Sequence, residues 1–374
     1  MYRPTIKSDL WLGVMAAVFL ALGFWVERST VTVRKPNHEA KIAAANTMLE
    51  ALKTLTDYRF PGMVSSKSAT DPLIYTMLGE KDSPITTDEG NIEDKITVLN
   101  PNFAAVIVDL FTQAGVSQGD TIAVLLTGSM PGANIAVLSA AKAMSLYPII
   151  ITSVGSSTWG ANSPDFTWVD MEKILADHQV LPFRSTAASL GGSNDQGGLR
   201  LPEVGRQMIA DAVDRNGITL IHQGSLGENI QARIKIFQSY LPLNRFKAVV
   251  NVGGGIAAMG HAENGNLIHT GTNLDLPFKN YPAKGVIHQF AEAGVPVVHI
   301  YAPSELAKEY GLPIAELPLP RIGAGKVYEA VVRYNVMVAS VALFLMLLVL
   351  AVVKYFDLQA HKWYEQKIDP DNII

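Results

Sequence analysis

The chain contains no cysteine. That excludes disulfide bonds, thiolate metal sites, iron–sulfur clusters and cysteine nucleophiles. Charge is also scarce: charged residues make up 17% of the sequence, against about 25% in soluble domains. The deficit excludes intrinsic disorder and points to buried or lipid-facing segments. There is no basic excess either. The 30 Lys and Arg are outnumbered by 34 Asp and Glu, leaving a net charge of −4. This argues against a nucleic-acid surface, where positive charge supplies the affinity. A P-loop of the form GxxxxGK[ST] and an HExxH metal motif are both missing, which removes the usual sequence support for an ATPase or a zinc protease.

What is present, first, is two long apolar runs. Leu10 to Val26 reads LWLGVMAAVFLALGFWV and Val336 to Val353 reads VMVASVALFLMLLVLAVV, neither with a charge. With their flanks, both approach the length that crosses a bilayer core of about 30 Å at 1.5 Å per residue. Trp11, Trp25, Tyr334 and Tyr355 sit at their edges, where aromatic belts belong. Glu27 and Arg28 follow the first run in place of the small-residue cleavage site of a signal peptide. The sequence therefore predicts transmembrane helices over 10–26 and 336–353, in a two-pass protein of the inner or plasma membrane. Basic residues lie on both sides of the spans. A loop as long as 27–335 translocates largely regardless of its charge, so the tails 1–9 and 354–374 are placed in the cytoplasm and the large domain outside it.

Between the spans, 27–100 reads as a membrane-proximal helix followed by an irregular connector. KIAAANTMLEALKTLTDY (41–58) has helical spacing, Pro61-Gly62 ends it, and 62–100 is rich in turn residues. Over 101–320 the pattern becomes regular. The apolar runs TIAVLLTG, PIIITSVG, STAASLGG, ITLIHQG, FKAVVNVGGG and PVVHIYAP are each followed by a helical stretch. Such alternation is the mark of a parallel sheet covered on both faces. The expected fold is a doubly wound, mostly parallel α/β Rossmann-like domain, flanked by one N-terminal and one C-terminal transmembrane helix, with 321–335 as linker.

In such a sheet ligands bind beyond the carboxyl ends of the strands. That rule selects loops rich in Gly, Ser and Asn, which expose backbone N–H groups to anions. The candidate ligand-binding residues are Gly128, Ser129 and Asn134; Ser156 and Ser157; Gly192, Ser193 and Asn194 in the 191–198 loop; Arg200; Ser225; and Asn251, Gly253, Gly254 and Gly255. Tight strand-to-helix turns need Gly and Ser in any case; it is their recurrence at one rim that suggests a polar or anionic ligand. Residues 181–250 carry 8 basic and 5 acidic side chains. Of these, Arg184, Arg200 and Arg206 flank the 191–198 loop and are able to take carboxylates, although ordinary surface charge explains them equally well.

Three weaker constellations remain. Gly253-x-Gly255-x-x-Ala258 is a partial dinucleotide fingerprint without the acidic residue about 20 positions on, so no nucleotide cofactor is expected. His222 and Ser225 are candidates for base and nucleophile, and Ser129 for a nucleophile. The elbow pattern fails at Ser225, because Gln223 occupies its first Gly position, and Ser225 equally suits the cap of the following helix. His261, Glu263, His269 and Asp275 lack a metal-binding spacing, and no metal is expected.

TGSMPGANIAVLSAAKAM, SVGSSTWGANSPDFTWVDME and the NVGGG turn, between an N-terminal and a C-terminal span, together resemble the poly-gamma-glutamate system proteins. These are membrane proteins encoded beside poly-gamma-glutamate synthesis and export genes. The likeness covers nearly the whole chain and implies a role in making or exporting an anionic poly-amino-acid, with synthase or export subunits, the polymer and the bilayer as partners. It brings no catalytic residues. The leading expectation is an accessory component, not itself an enzyme, that binds an anionic chain or glutamate-like ligand at the Gly/Ser rim. The alternatives are a hydrolase or amidoligase-like enzyme acting on the polymer, and a structural subunit of a membrane synthase.

Overall fold

The computed structural model describes residues 9–33, 35–62, 72–197, 200–329 and 331–367. Gly198 of the expected rim loop, part of the expected connector (63–71) and the outer parts of both tails (1–8 and 368–374) lie outside the described residues. In chain order the helices are α1 (Asp9–Arg28), α2 (His38–Arg59), α3 (Pro72–Met77), α4 (Ile92–Thr97), α5 (Phe103–Gln113), α6 (Pro131–Ala143), α7 (Trp168–Asp177), α8 (Glu203–Arg215), α9 (Leu226–Tyr240), α10 (Ile256–Met259), α11 (Asn264–Leu267), α12 (Val286–Glu292), α13 (Pro303–Glu309) and α14 (Val336–Lys367). The strands are β1 (Thr30–Val33), β2 (Thr121–Thr127), β3 (Tyr147–Ser153), β4 (Asn162–Ser163), β5 (Phe166–Thr167), β6 (Ala187–Ser189), β7 (Gly191–Gly192), β8 (Gln196–Gly197), β9 (Thr219–Ile221), β10 (Val249–Val252), β11 (Gly271–Asn273), β12 (Val297–Ile300) and β13 (Val331–Tyr334).

The chain divides into two compact units. One is made of the chain ends, up to Lys35 and from Ala330; the other is Pro36–Glu329. In the unit of the ends, β1 and β13 pair antiparallel, with Thr30 opposite Tyr334 and Val33 opposite Val331, and α1 packs against α14. Among the described residues one helix is long and apolar enough to cross a membrane, the 24-residue stretch Val336–Gln359 of α14. The first expected span does form a helix, which exposes Leu12, Leu20, Phe24 and Trp25. Its side chains are described only from Leu12 onward.

In the larger unit a seven-stranded sheet has the order β11-β12-β10-β2-β3-β6-β9. All neighbours are parallel except β11, which runs antiparallel along β12. The six apolar runs of the sequence supply the six parallel strands. They are parallel because each returns through a crossover that packs on a face of the sheet. Period-two alternation sends neighbouring side chains to opposite faces. Ile122, Val124 and Leu126 of β2 join the core beneath α2, α5, α6 and α7. Ala123 and Leu125 join the core beneath α9 and α12. A third cluster packs α8 against β6 through Ala188, Ile209, Ala212 and Val213.

Two boundaries differ from expectation. Residues 36–100 are not a separate membrane-proximal element. Helix α2 packs on α5 and α6 and fully buries Met48, Leu52 and Leu55, each contributing about 1.5–3 kcal/mol of transfer free energy. Lys41 on the same helix is buried too, its Nζ 2.5 Å from Asp109 and 3.3 Å from the Val327 carbonyl. Likewise 321–329 is domain rather than linker: Asn102 donates to the Arg321 carbonyl and accepts from the Gly323 N–H and the Tyr328 hydroxyl.

Candidate active cleft

Strands β2 and β10 are neighbours at the centre of the sheet. From β2 the chain moves on to β3, β6 and β9; from β10 it moves the other way, to β12. This reversal is the topological switch point, where open α/β sheets form a crevice outside the strand ends. A cleft of about 470 Å³ lies there. Thr127, Ser129 and Met130 follow β2 into it, and Gly253, Gly254 and Gly255 follow β10. Ser153, Gly155 and Ser157 come from β3, Gly191 to Ser193 from β6, and Tyr301 with Ala302 from β12, while 87–91, Asp94 and Lys95 close it from the segment before the sheet. The turn after β10 requires glycine at Gly253, whose φ is +77° and whose absent Cβ would lie 2.6 Å from Thr127 Oγ1. The N–H groups of Gly254 and Gly255 meet no acceptor among the described residues.

Lys95 is the chemically distinctive residue of the cleft. It sits on α4 and is 3% exposed. Its Nζ donates to Ser157 Oγ at 2.7 Å and to the Ser129 carbonyl. Ser129 Oγ in turn accepts the Ser157 backbone N–H at 3.0 Å. Burial pushes Lys95 down to about 8, against the opposing attraction of Asp94. Asp94 is held by the Ser304 hydroxyl and N–H. Gly90 packs over this group: a Cβ there would stand 2.7 Å from Ser157 Oγ and 3.0 Å from Lys95 Cε.

One wall of the cleft is held by a buried ion pair. Arg233 on α9 and Asp195 meet at 2.7 Å, with side chains 2% and 0% exposed. Ser189 Oγ donates to Asp195 at 2.7 Å and accepts from Arg233 at 2.6 Å. This anchor holds a contorted loop: Gly191, Gly192, Asn194, Asp195 and Gly197 all have positive φ, between 57° and 85°. The glycines adopt that region freely, but Asn194 and Asp195 carry side chains that rarely do, so without its anchor this part of the loop would relax out of the cleft wall.

The expected site residues divide sharply. Ser129, Ser157, Gly192, Ser193, Gly253, Gly254 and Gly255 are brought together in the cleft. Gly128 ties β2 to the β3 side, its N–H donating to the Ser153 carbonyl and its carbonyl accepting from Ala161. Asn134 is buried with its amide on the Thr127 carbonyl, and Ser156 is buried on the Ser157 carbonyl. Asn251 is buried between the Gly253 carbonyl and His299 Nδ1. Asn194 does not line the cleft. Ser225 caps α9, accepting the Glu228 N–H at 3.3 Å, and neither it nor His222 lines the cleft.

The expected arginine rim does not assemble. Arg184 donates to the Asn216 carbonyl and Arg206 to that of Leu201, each serving a neighbouring segment. Arg200 is engaged by Asp88 and Glu89, 3.5 and 3.7 Å away. These three line an adjoining cavity of about 750 Å³, shared with Lys81, Thr158 and Trp159. The residue that sequence reasoning missed is Lys95. It lies in a stretch read as irregular connector, 62 positions from the serine it touches, and only the acidic, Asn-capped turn NIEDK marked a helix there. Comparison of the chain with protein-family models, curated proteins and solved structures finds no match.

Proposed function

We propose that the protein is a membrane-anchored component of poly-gamma-glutamate synthesis or export whose cleft takes one terminal unit of an acidic amide polymer, rather than a run of it. The observation that carries this is the charge around the cleft. Asp88 and Glu89 stand at its lip with side chains 79% and 85% exposed, while the inner wall holds the buried ammonium of Lys95. A run of carboxylates laid along the lip would meet the like charge of Asp82, Asp88 and Glu89, only partly offset by Lys81 and Arg200. A single end unit reaches past it to Ser129, Ser157 and the Gly254 and Gly255 N–H groups, which suit a carboxylate or amide oxygen.

We also read the chain as two-pass, with the large unit extracytoplasmic. The pairing of Thr30 with Tyr334 supports this, because it sets the end of α1 and the start of α14 at the same end of one ribbon. Single cysteines introduced at Ser8 and Tyr240 test the orientation, there being no native thiol to interfere. A membrane-impermeant maleimide added to intact cells should label the second and spare the first; the reverse pattern overturns it.

Calorimetry on the full-length protein in detergent tests the ligand. Glutamate oligomers and long polymer, compared at equal chain-end concentration, should bind with the same affinity per end. Lys95→Met should weaken binding about tenfold to a hundredfold, the worth of a hydrogen bond to a charged group. Affinity rising in proportion to chain length would indicate a polyanion groove instead. Undiminished binding by Lys95→Met would move the ligand out of the cleft.

A further inference from the structure

We propose that Ser157 and Lys95 are a nucleophile and its base, and that the cleft cleaves an amide at its carbonyl carbon; this rests on the cleft being the ligand site argued above and adds chemistry to it. The geometry is that of an activated serine: an amine at 2.7 Å from the hydroxyl, within the reach needed for proton transfer. The serine faces a cleft large enough for an amino-acid unit. The amine is shut off from bulk water on α4 and oriented by the Ser129 carbonyl. The nucleophile is oriented separately, through its own N–H on Ser129 Oγ. Ser129 is not the nucleophile, because Lys95 meets its carbonyl rather than its hydroxyl.

The charged or titratable groups around Lys95 are Asp94 on its own helix, Asp88 and Glu89 on the closing segment, and Tyr301 after β12. Burial outweighs Asp94 and brings the ammonium down to about 8, so a usable share of neutral amine exists near neutral pH. The N–H groups of Gly254 and Gly255, which meet no acceptor among the described residues, are donors available to a developing oxyanion in the same cleft.

In the reaction, Ser157 Oγ adds to the amide carbonyl carbon and its proton passes to neutral Lys95 Nζ. The C–N bond then breaks, Lys95 returns the proton to the departing amine, and an ester of Ser157 remains. Water adds to that ester, giving a proton to Lys95. The ester C–O bond breaks and Ser157 recovers its proton. The sum is amide plus water to carboxylic acid plus amine; an amine in place of water transfers the acyl group instead. The substrate class is an amide joining acidic amino-acid units, cut at the end held in the cleft.

The alternative is that Lys95 is only a strut between two loops, and a strut does not activate a serine. The test is an alkyl fluorophosphonate, which phosphonylates base-activated serines with loss of fluoride, applied to the full-length protein in detergent and mapped by peptide mass spectrometry. The expected adduct is on Ser157. Its rate of formation should rise with pH through about 8, and Ser157→Ala should abolish it. Lys95→Met and Lys95→Arg should slow it about a hundredfold or more, the range of a lost general base. Ser225→Ala, at a helix cap outside the cleft, should react as the parent does. No adduct on Ser157 in the parent, or a pH-independent rate, overturns the pairing whether or not the Lys95 variants fold. A glutamate dimer should protect Ser157 from the probe. Labelling without protection keeps the nucleophile and overturns the ligand assignment, whereas glutamate binding without labelling overturns the nucleophile alone.

Discussion

Replacing Arg233 with Met should cost the fold about 3 kcal/mol and loosen one wall of the cleft. Arg233 and Asp195 are 2% and 0% exposed. Breaking such a pair from one side leaves an uncompensated buried charge, which costs about 3–5 kcal/mol. The Ser189 hydroxyl still donates to Asp195 and softens the loss. So does release of the left-handed backbone at Asn194 and Asp195, worth about 1–3 kcal/mol per strained residue. The lower end of the range is therefore expected. For a unit of this size it corresponds to a melting point lower by roughly 6–12 °C, at about 2–4 °C per kcal/mol. Thermal unfolding followed through the fluorescence of Trp168, which is fully buried, measures it in detergent. The double variant Arg233→Met with Asp195→Asn should recover much of the loss, because a neutral pair no longer buries a charge. A single-variant cost under about 1 kcal/mol, or a double variant no better than the single, would refute the idea that this ion pair holds the loop.

At Ser225, substitution by Asn or Asp should preserve stability and Ala should cost about 1 kcal/mol, as for any helix cap, read by the same melting curves; a loss with Asn as large as with Ala would mean the hydroxyl does more than cap. Acid should unfold the protein partly through His288 and His299. Burial pushes both down to about 4 from an ordinary 6.5, so their contribution is complete above pH 6.5 and is lost as pH falls toward 4, at up to about 1.4 kcal/mol per unit for each. Glu172 works the other way. Burial raises it to about 7, so its contribution is complete below about 4.5 and is lost as pH rises to 7. Glu172→Gln should therefore steepen the acid loss between pH 6.5 and 4.5. An unchanged slope in urea titrations across that window would show that the carboxyl does not titrate there.

The strands were legible because the sheet is covered on both faces over its central strands, so β2, β3, β10 and β12 are mostly apolar, fully or largely buried runs; the edge strand β9, Thr219–Ile221, is partly exposed and was legible from its place in the alternation. Strand β11 was not: Gly-Thr-Asn carries no strand signal and pairs only because β12 offers it an open edge. Helix α2 was legible as a helix but not as core, since a sequence cannot say whether an Ala- and Leu-rich face meets lipid, a partner or its own sheet. The rim loops were legible through their Gly and Ser content, which is a local requirement of the turns. Lys95 was not, because its meaning depends on burial and on a contact between segments distant in the chain. The arginines misled for the matching reason: sequence displays charge but not the carbonyl or carboxylate that absorbs it.

The short β1–β13 ribbon has a consequence for the order of assembly. Two four-residue strands form a two-stranded ribbon too small to hold by itself, and the chain between them is long. Closing a flexible loop of roughly 300 residues costs on the order of 5 kcal/mol in chain entropy, plus a constant. Folding of the inserted unit removes most of that cost, because Lys41 near its entry reaches the Val327 carbonyl near its exit and so brings the two points where the chain leaves the unit close together. The ribbon therefore zips after the domain folds, driven by a high effective concentration of one strand for the other. A chain whose inserted unit has unfolded therefore loses most of the effective concentration that brings β1 and β13 together, and the ribbon opens with it.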